Sequence, residues 1–136
     1  MKKEFSKNWI RSKQPRKQRK YRRNAPLHIK QKLMGTHLSA ELRKKHGKRA
    51  VPIKKGDTVK IMRGQFKKKT GKVDLVSIKK DFVYVVGVEV LKKDGSKTNY
   101  PIKSCNLMIT ELNMDDKRRL KKAEGKKSKV PEAQGA

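Results

Sequence analysis

The sequence predicts a mainly β fold: an SH3-like, five-stranded small barrel preceded by a basic extended N-terminal arm. Two observations predict it. Residues 51–112 hold nine of the ten valines of the 136-residue chain, and strand signals recur there at short intervals, as a small closed sheet requires. Residues 1–50 instead carry 18 basic and 2 acidic side chains. We therefore expect the core to lie in residues 51–112.

Charge and apolar content divide the chain into three regions. Residues 51–112 hold 25 of the 45 apolar residues with 14 basic and 6 acidic side chains, whereas residues 113–136 have 8 basic and 4 acidic ones. We expect a basic arm with short helices over residues 1–50 and the barrel over residues 51–112. A C-terminal helix and a loose basic tail should occupy residues 113–136.

Within the barrel region, period-two patterns of apolar residues predict the strands. Val73 and Leu75 share one face while Val76 and Ile78 share the other, so we expect a bulge midway along the second strand. Residues 92–97 should form a hairpin loop around an Asp-Gly turn. The predicted strands lie near residues 57–63, 71–79, 82–90, 97–102 and 106–111.

The region before the barrel should be irregular with two short helices. Residues 11–23 contain eight Lys or Arg among thirteen residues and no apolar stripe, so we expect this arm to be disordered when free. Pro26 and Gly35 bound a first predicted helix, and Ser39 and Gly47 bound a second. A third helix fits residues 113–124, because acidic side chains precede basic ones along it.

The charge balance indicates the kind of partner. With 40 Lys and Arg against 12 Asp and Glu, the net charge of +28 repels itself strongly unless a polyanion neutralises it. Nucleic acid is the expected partner, since no apolar run approaches the ~20 residues of a spanning helix. The N-terminus lacks the apolar segment of a secretory signal, and the single Cys105 excludes a disulfide framework. We expect a cytosolic protein.

Catalytic patterns are missing from the sequence. His28, His37 and His46 recur every nine residues, but no neighbouring Cys or carboxylate gives metal-ligand spacing. Serines lie in no nucleophile-elbow pattern, and the two glycines at 64 and 71 lack the Gly-Lys-Ser/Thr ending of a phosphate-binding Walker loop. We expect no catalytic residue, no metal and no cofactor.

A glycine-bounded basic loop is the most informative segment. Val59 and Ile61 alternate with polar residues, Gly64 ends that run, and Gly71 opens the next strand. Between the glycines, Lys67, Lys68 and Lys69 place three ammonium groups together with no acid among them. Glycine beside a basic turn allows close approach of a polyanion backbone, so the loop is a candidate phosphate contact.

This segment resembles the KOW motif of certain ribosomal proteins and transcription elongation factors. The motif runs strand, Gly, basic loop, Gly-Lys-Val and strand, and it is matched by residues 59–62, Gly64, residues 67–69, Gly71, Lys72 and Val73. Many members have glycine where this chain has Lys68. Further segments are similar to the archaeal and eukaryotic branch of the large-subunit ribosomal protein numbered twenty-four, counted as twenty-six in eukaryotes: residues 24–26, 38–43, 52–57 and 106–110. The similarity covers roughly residues 15–120.

The resemblance implies a structural constituent of the cytosolic large ribosomal subunit, monomeric within the ribosome. It implies contact with the 5′ domain of large-subunit rRNA and with neighbouring ribosomal proteins, a place near the nascent-chain exit, and a part in early assembly. The arm's arginines, seven of the chain's ten within residues 1–50, also suit phosphate forks and stacking on bases. The candidate RNA-binding residues are Arg16, Lys17, Arg19, Lys20, Tyr21, Arg22, Arg23, Asn24, His28, Lys54, Lys55, Arg63, Gly64, Lys67, Lys68, Lys69, Gly71 and Lys72.

Two alternatives share some of these features. A KOW module of a transcription elongation factor would share the barrel, but such a module normally accompanies another domain, for which 136 residues leave no room. A histone-like nucleic-acid architectural protein would share the charge but has no need for a five-stranded core. Preference for folded RNA over duplex DNA at matched salt separates a ribosomal protein from such an architectural protein.

Overall fold

A computed structural model of the chain describes residues 5–6, 8–9, 11–116 and 118–121. The described residues form a mixed α/β structure, in which three of the four helices precede β2. The helices are α1 Pro15–Asn24, α2 Leu27–Leu33, α3 Ala40–His46 and α4 Arg118–Lys121. The strands are β1 Gly35–Leu38, β2 Ala50–Pro52, β3 Thr58–Ile61, β4 Thr70–Ser77, β5 Phe82–Val85, β6 Glu89–Leu91, β7 Lys97–Asn99 and β8 Leu107–Glu111.

Six strands form one mixed sheet in the order β2-β1-β8-β3-β4-β5, and β6 and β7 form a separate hairpin. The pair of β1 and β8 is parallel, and the other neighbouring pairs are antiparallel. A short 3-10 turn, Ser104–Asn106, leads into β8. The first strand in the chain therefore pairs directly with the last one.

Three of the five predicted strands, those that became β3, β4 and β8, are confirmed with small changes of bounds. The predicted bulge is confirmed as well, since the register between β4 and β5 shifts between Val73 and Leu75. The predicted strand over 82–90 is interrupted, because Gly87 turns the chain with φ of 81° between β5 and β6. Only part of 97–102 is strand, with a separate bridge from Ile102 to Val83.

The sequence prediction missed β1 and β2, which are only four and three residues long. Thr36 and Leu38 of β1 point into the core at 0 % exposure, a period-two pattern too short to stand out. The predicted second helix is confirmed as α3, where the Ser39 hydroxyl accepts a hydrogen bond from Leu42 N and Gly47 ends the helix at φ 61°. The first predicted helix, between Pro26 and Gly35, is confirmed as α2.

The core is built mostly from β-branched side chains, most of them on the strands of the six-stranded sheet. Met34, at the end of α2, and Ile53, after β2, close it from the side of the arm. Burial of this kind is the main stabilising contribution in a small domain. The core residues at 2 % exposure or less are Met34, Leu38, Val51, Val59, Ile61, Val73, Val83, Val85, Val88, Leu107 and Ile109.

The arm is helical where an extended and disordered chain was predicted. Helix α1 begins with Pro15 at its first position and continues through lysines, arginines and a glutamine, which are good helix formers. The Tyr21 ring lies 4.8 Å from that of Phe5 and 5.9 Å from that of Trp9, measured between centroids. The prediction was wrong over Pro15–Asn24 because the apolar contacts of the helix come from residues that precede it.

The C-terminal helix is shorter than predicted. Residues 113–116 are not helical, because Asn113 N donates to Asp57 Oδ1 and the Asn113 side chain accepts from Asp115 N at 3.0 Å, which forms a local turn. The helix α4 then covers Arg118–Lys121. Residues 122–124 of the predicted helix, and the predicted loose tail, lie outside the described residues.

A buried ion pair fastens α4 to the sheet. The Arg119 guanidinium donates to both carboxylate oxygens of Asp57, at 2.6 Å and 2.5 Å, and the two side chains are 3 % and 0 % exposed. Asp57 also accepts from Lys54 N and Asn113 N, each at 2.9 Å. Arg119 further donates to the Pro52 carbonyl. One carboxylate thus joins the turn before β3, the segment after β8 and α4.

Replacing Asp57 by asparagine should destabilise the chain strongly. Removal of one partner of a buried ion pair costs about 3–5 kcal/mol, because the remaining charge is left buried without compensation. We expect a large downward shift of the midpoint of urea-induced unfolding, followed by circular dichroism. Glu89→Gln is the control, since its pair with Lys97 is 4.0 Å long and exposed. Equal, small effects of the two substitutions would contradict the assigned role of the buried pair.

Candidate nucleic-acid interface

The basic loop between β3 and β4 is a compact, hydrogen-bonded turn. Lys68 N donates to Ile61 O and Ile61 N donates to Lys69 O, both at 2.9 Å, so the strand pairing continues to the loop's base. Lys67 N closes a turn on the Gly64 carbonyl at 3.1 Å. The backbone therefore fixes the positions from which the three lysine side chains project before any partner binds.

Lys67, Lys68 and Lys69 are all exposed, as are Arg63 and Lys72 beside them. Lys68 adopts a left-handed backbone with φ of 75°, a conformation that favours glycine. The glycine of many KOW motifs at this position therefore has a conformational reason, and this chain retains the turn with a lysine instead. The result is one additional ammonium group at the tip of the loop.

Two other predicted contacts are engaged within the chain. The Lys54 ammonium forms an ion pair with Asp116, and the Lys55 ammonium lies 3.7 Å from Asp74. Exposed pairs of this kind are weak, so either lysine can exchange its partner for a phosphate at small cost. Their charge is nevertheless partly neutralised locally, unlike that of the loop lysines.

The two loop glycines have different roles. Gly64 has φ of 98° and open space around the position of a Cβ atom, so its role is the turn itself. A Cβ at Gly71 would lie 2.7 Å from Val85 Cγ1 and 2.7 Å from the Val86 carbonyl oxygen. Gly71 therefore permits close packing of β4 on β5, a structural requirement that sequence analysis interpreted as an opening for a polyanion.

A second cationic surface lies where the arm meets the turn between β4 and β5. It surrounds a cleft of about 250 Å³ and holds five basic side chains against one carboxylate, that of Asp81. Arg22 lies 3.7 Å from Asp81, whose other carboxylate oxygen is buried without a hydrogen-bond partner among the described residues. The basic residues of this arm–turn cleft are Arg22, Arg23, Lys30, Lys79 and Lys80.

Sequence analysis missed three members of the arm–turn cleft, Lys30, Lys79 and Lys80. The lysines at positions 79 and 80 follow β4 and resemble ordinary turn residues. They lie more than fifty positions after Arg22 and Arg23 in the sequence. No periodicity connects such distant positions. In the sequence, the local signal for this part of the cleft is a pair of adjacent lysines followed by Asp81. In the structure Asp81 adopts φ of 62°.

The remaining arm candidates lie along α1 and at the start of α2. Most are exposed, and Tyr21 is half-buried by the aromatic contacts described above. Exposed cations along a helix give a continuous positive surface rather than one site. These residues are Arg16, Lys17, Arg19, Lys20, Tyr21, Asn24 and His28.

Neither metal-site nor membrane-spanning geometry occurs in the described part of the chain. No group of three or more His, Cys, Asp or Glu side chains there could hold a metal ion. Among the same residues, no helix has the length and apolar character that crossing a membrane requires. His37 Nδ1 is buried without a hydrogen-bond partner, but among these residues it belongs to no such group.

Fold and surface together define a class: small, strongly cationic sheet proteins whose exposed side chains suit a polyanion. Comparison with known proteins gives the family. The family model for the eukaryotic ribosomal proteins L26 and their archaeal counterparts, numbered twenty-four, matches residues 12–126. The large ribosomal subunit protein uL24 of Methanosarcina barkeri is 51% identical over 108 residues, which cover 79% of this chain and 93% of that protein.

The chain belongs to this family of ribosomal proteins, as its sequence resemblance indicated. It is a non-enzymatic structural protein of the large subunit, located on the cytoplasmic ribosome. The match over residues 12–126 extends far beyond residues 59–73, which carry the KOW resemblance. A lone KOW module does not account for it.

A substitution of Gly71 by alanine should separate the structural role of this glycine from a binding role. Insertion of a methyl group against the Val86 carbonyl should destabilise the chain by about 1–3 kcal/mol, measured by chemical unfolding. Gly35→Ala is the matched control, because its Cβ would meet only Ala50 Cβ at an ordinary 4.0 Å. If Gly71→Ala folds as stably as Gly35→Ala, the packing explanation of this glycine is wrong.

Proposed function

We propose that the chain binds large-subunit rRNA as a structural constituent of the subunit. The observation that carries this proposal is the exposed lysine loop, which has three ammonium groups and no acid between its glycines. The arm–turn cleft supports it with five basic side chains around one carboxylate. Two preformed cationic surfaces on a chain of net charge +28 match the negative backbone of folded RNA.

Binding would proceed mainly by neutralisation of phosphates and release of the counterions that surround them. The loop lysines act as point charges, whereas the arm's arginines can also form two-pronged hydrogen bonds to phosphates. Such contacts position a protein on RNA without reading its sequence. Specificity would then come from the shape of the folded RNA that fits both surfaces at once.

We also propose that the strands of residues 51–112 close as the small SH3-like barrel. Support comes from the order β8-β3-β4-β5 and from the bridge of Val83 with Ile102, whose backbone groups exchange hydrogen bonds at 2.8 Å and 3.0 Å. The 3-10 turn then returns the chain from Ile102 to β8. In this division residues 1–50 are the RNA-binding arm with its helices, and residues 113–136 are a C-terminal extension.

The finer placement follows the family resemblance. We propose contact with the 5′ domain of the rRNA, a location near the nascent-chain exit, contacts with neighbouring ribosomal proteins and participation in early assembly, as a monomer within the ribosome. A tagged chain should cofractionate with large subunits on a sucrose gradient of cell lysate. Its presence only in fractions free of ribosomal particles would contradict the proposal.

Replacement of Lys67, Lys68 and Lys69 by glutamine should weaken RNA binding and flatten its salt dependence. Each lost phosphate contact reduces the slope of log K against log salt by about 0.7–0.9, so three contacts should reduce it by about 2–3. The measurement is a salt titration of binding to a transcript of the 5′ domain of large-subunit rRNA.

The matched control replaces Lys92, Lys93 and Lys97 by glutamine, which removes the same charge from the exposed hairpin of β6 and β7. Circular dichroism should show that both triple variants are folded. The loop variant should lose more affinity than the hairpin variant and retain the preference for the cognate transcript over an unrelated RNA. Equal slopes for the two variants would mean that the loop lysines are simply solvated.

A further inference from the structure

A second cleft lies between the lysine loop and the segment before β8. It is lined by Ile61, residues 63–66, Phe82, residues 100–103 and Asn106, and its volume is about 240 Å³. This loop–strand cleft lies apart from the arm–turn cleft, with which it shares no residue. It is continuous with the basic loop because Arg63, Gly64 and Phe66 belong to both.

Two of the aromatic rings that line the loop–strand cleft contact each other. The rings of Phe66 and Tyr100 are 5.1 Å apart between centroids and tilted by 60°. Lys69 Nζ lies 5.1 Å from the Phe66 centroid, so one face of that ring is engaged by a cation. Tyr100 remains 37% exposed. A large aromatic side chain at this exposure, beside a cationic loop, has a stacking surface available to a ligand.

The backbone of Tyr100 is ordered by its contacts with neighbouring segments. Its backbone N–H donates to the Val88 carbonyl at 2.9 Å, and the next residue, Pro101, restricts the backbone that follows. Ile102 then pairs with Val83. A ring carried on a backbone that is already ordered requires little backbone ordering when a ligand stacks on it.

The charge of the cleft selects among possible ligands. Arg63 and Lys103 line it and are exposed, and no carboxylate is among its lining residues. Aromatic grooves also bind proline-rich peptides, but the binding of such peptides does not generally require basic side chains beside the aromatic rings. Single-stranded nucleic acid needs both a stacking ring and neighbouring cations.

We propose that the loop–strand cleft binds one unpaired nucleobase of RNA, stacked on Tyr100, with the adjoining phosphates at Arg63 and Lys103. This inference rests on the proposed rRNA binding and refines it, because it assigns a single-stranded nucleotide to a defined site. The lysine loop would hold the backbone, and the cleft would hold a base that is looped out of the folded RNA. The site thus distinguishes unpaired from paired RNA.

The first test is the binding of the intact chain to a short single-stranded oligouridylate and to a blunt RNA duplex with the same number of phosphates. Tyr100→Leu should bind the single strand roughly 5- to 150-fold more weakly, the range for loss of one base stack, with its salt slope unchanged. Binding of the duplex should be unaffected. Tyr100→Phe retains a ring and should bind the single strand like the unsubstituted chain.

Lys103→Gln tests the cationic part of the same cleft. It should weaken binding of the single strand and flatten the salt dependence, whereas Lys92→Gln in the hairpin should do neither. Proton NMR on the unsubstituted chain, which needs no variant to fold, should show upfield shifts of the Tyr100 ring signals when oligouridylate is added. Unshifted ring signals at saturating oligouridylate would overturn the proposal.

Other outcomes separate this inference from the proposed function. Equal losses for single strand and duplex in Tyr100→Leu would overturn the stacking site, as would displacement of oligouridylate from Tyr100 by a proline-rich peptide. Cofractionation with large subunits together with an unshifted Tyr100 ring would refute only the nucleobase site. A shifted ring in a chain that does not enter large subunits would refute only the ribosomal proposal.

Discussion

The buried pair of Asp57 with Arg119 is the interaction on which the rest of the structure depends. A chain of net charge +28 resists compaction through its own repulsion, and its core is small. Asp57 gathers two backbone N–H groups and a guanidinium around one carboxylate at 0 % exposure. The turn before β3 and the segment after β8 are thereby held together, although they lie more than fifty residues apart in the chain.

The few acidic side chains of the described region are used to fix geometry. Four aspartates each pair with one cation: Asp57 with Arg119, Asp74 with Lys55, Asp81 with Arg22 and Asp116 with Lys54. These pairs connect the arm, the sheet and the C-terminal segment to one another. No acid lies within the lysine loop, whose charge stays available to a partner. Of these pairs only Asp57–Arg119 is buried, while the lysine loop carries its charge without an acid between its glycines.

Sequence patterns predicted those parts of the structure that depend on interactions between residues close together in the chain. The Ser39 cap, the bulge after Val73 and the Asp94–Gly95 hairpin turn all follow from side chains within a few residues of each other. In that turn, hydrogen bonds from the Ser96 hydroxyl and the Ser96 backbone lower the pKa of the Asp94 carboxyl from its ordinary value. The arm helix was missed because its aromatic contacts with Phe5 and Trp9 come from outside its own pattern.

The same distinction applies to the candidate site: the part formed by neighbouring residues was predictable, and the parts formed by distant residues were not. Gly64 and the three lysines that follow it form one turn, so their proximity could be inferred directly from the sequence. The arm–turn cleft and the ring of Tyr100 beside Phe66 depend on the sheet order, which joins positions far apart in sequence. Composition indicated a polyanion partner, but it could not identify which lysines share a surface.

The central claim is that rRNA occupies the lysine loop and the arm–turn cleft together. Lysine acylation of the purified chain, read by mass spectrometry with and without a transcript of the rRNA 5′ domain, tests this claim most directly. Bound RNA should protect Lys67, Lys68 and Lys69 from acylation together with Lys79 and Lys80. The hairpin lysines 92 and 93 should stay reactive. Equal protection of all exposed lysines, or protection of the hairpin alone, would contradict it.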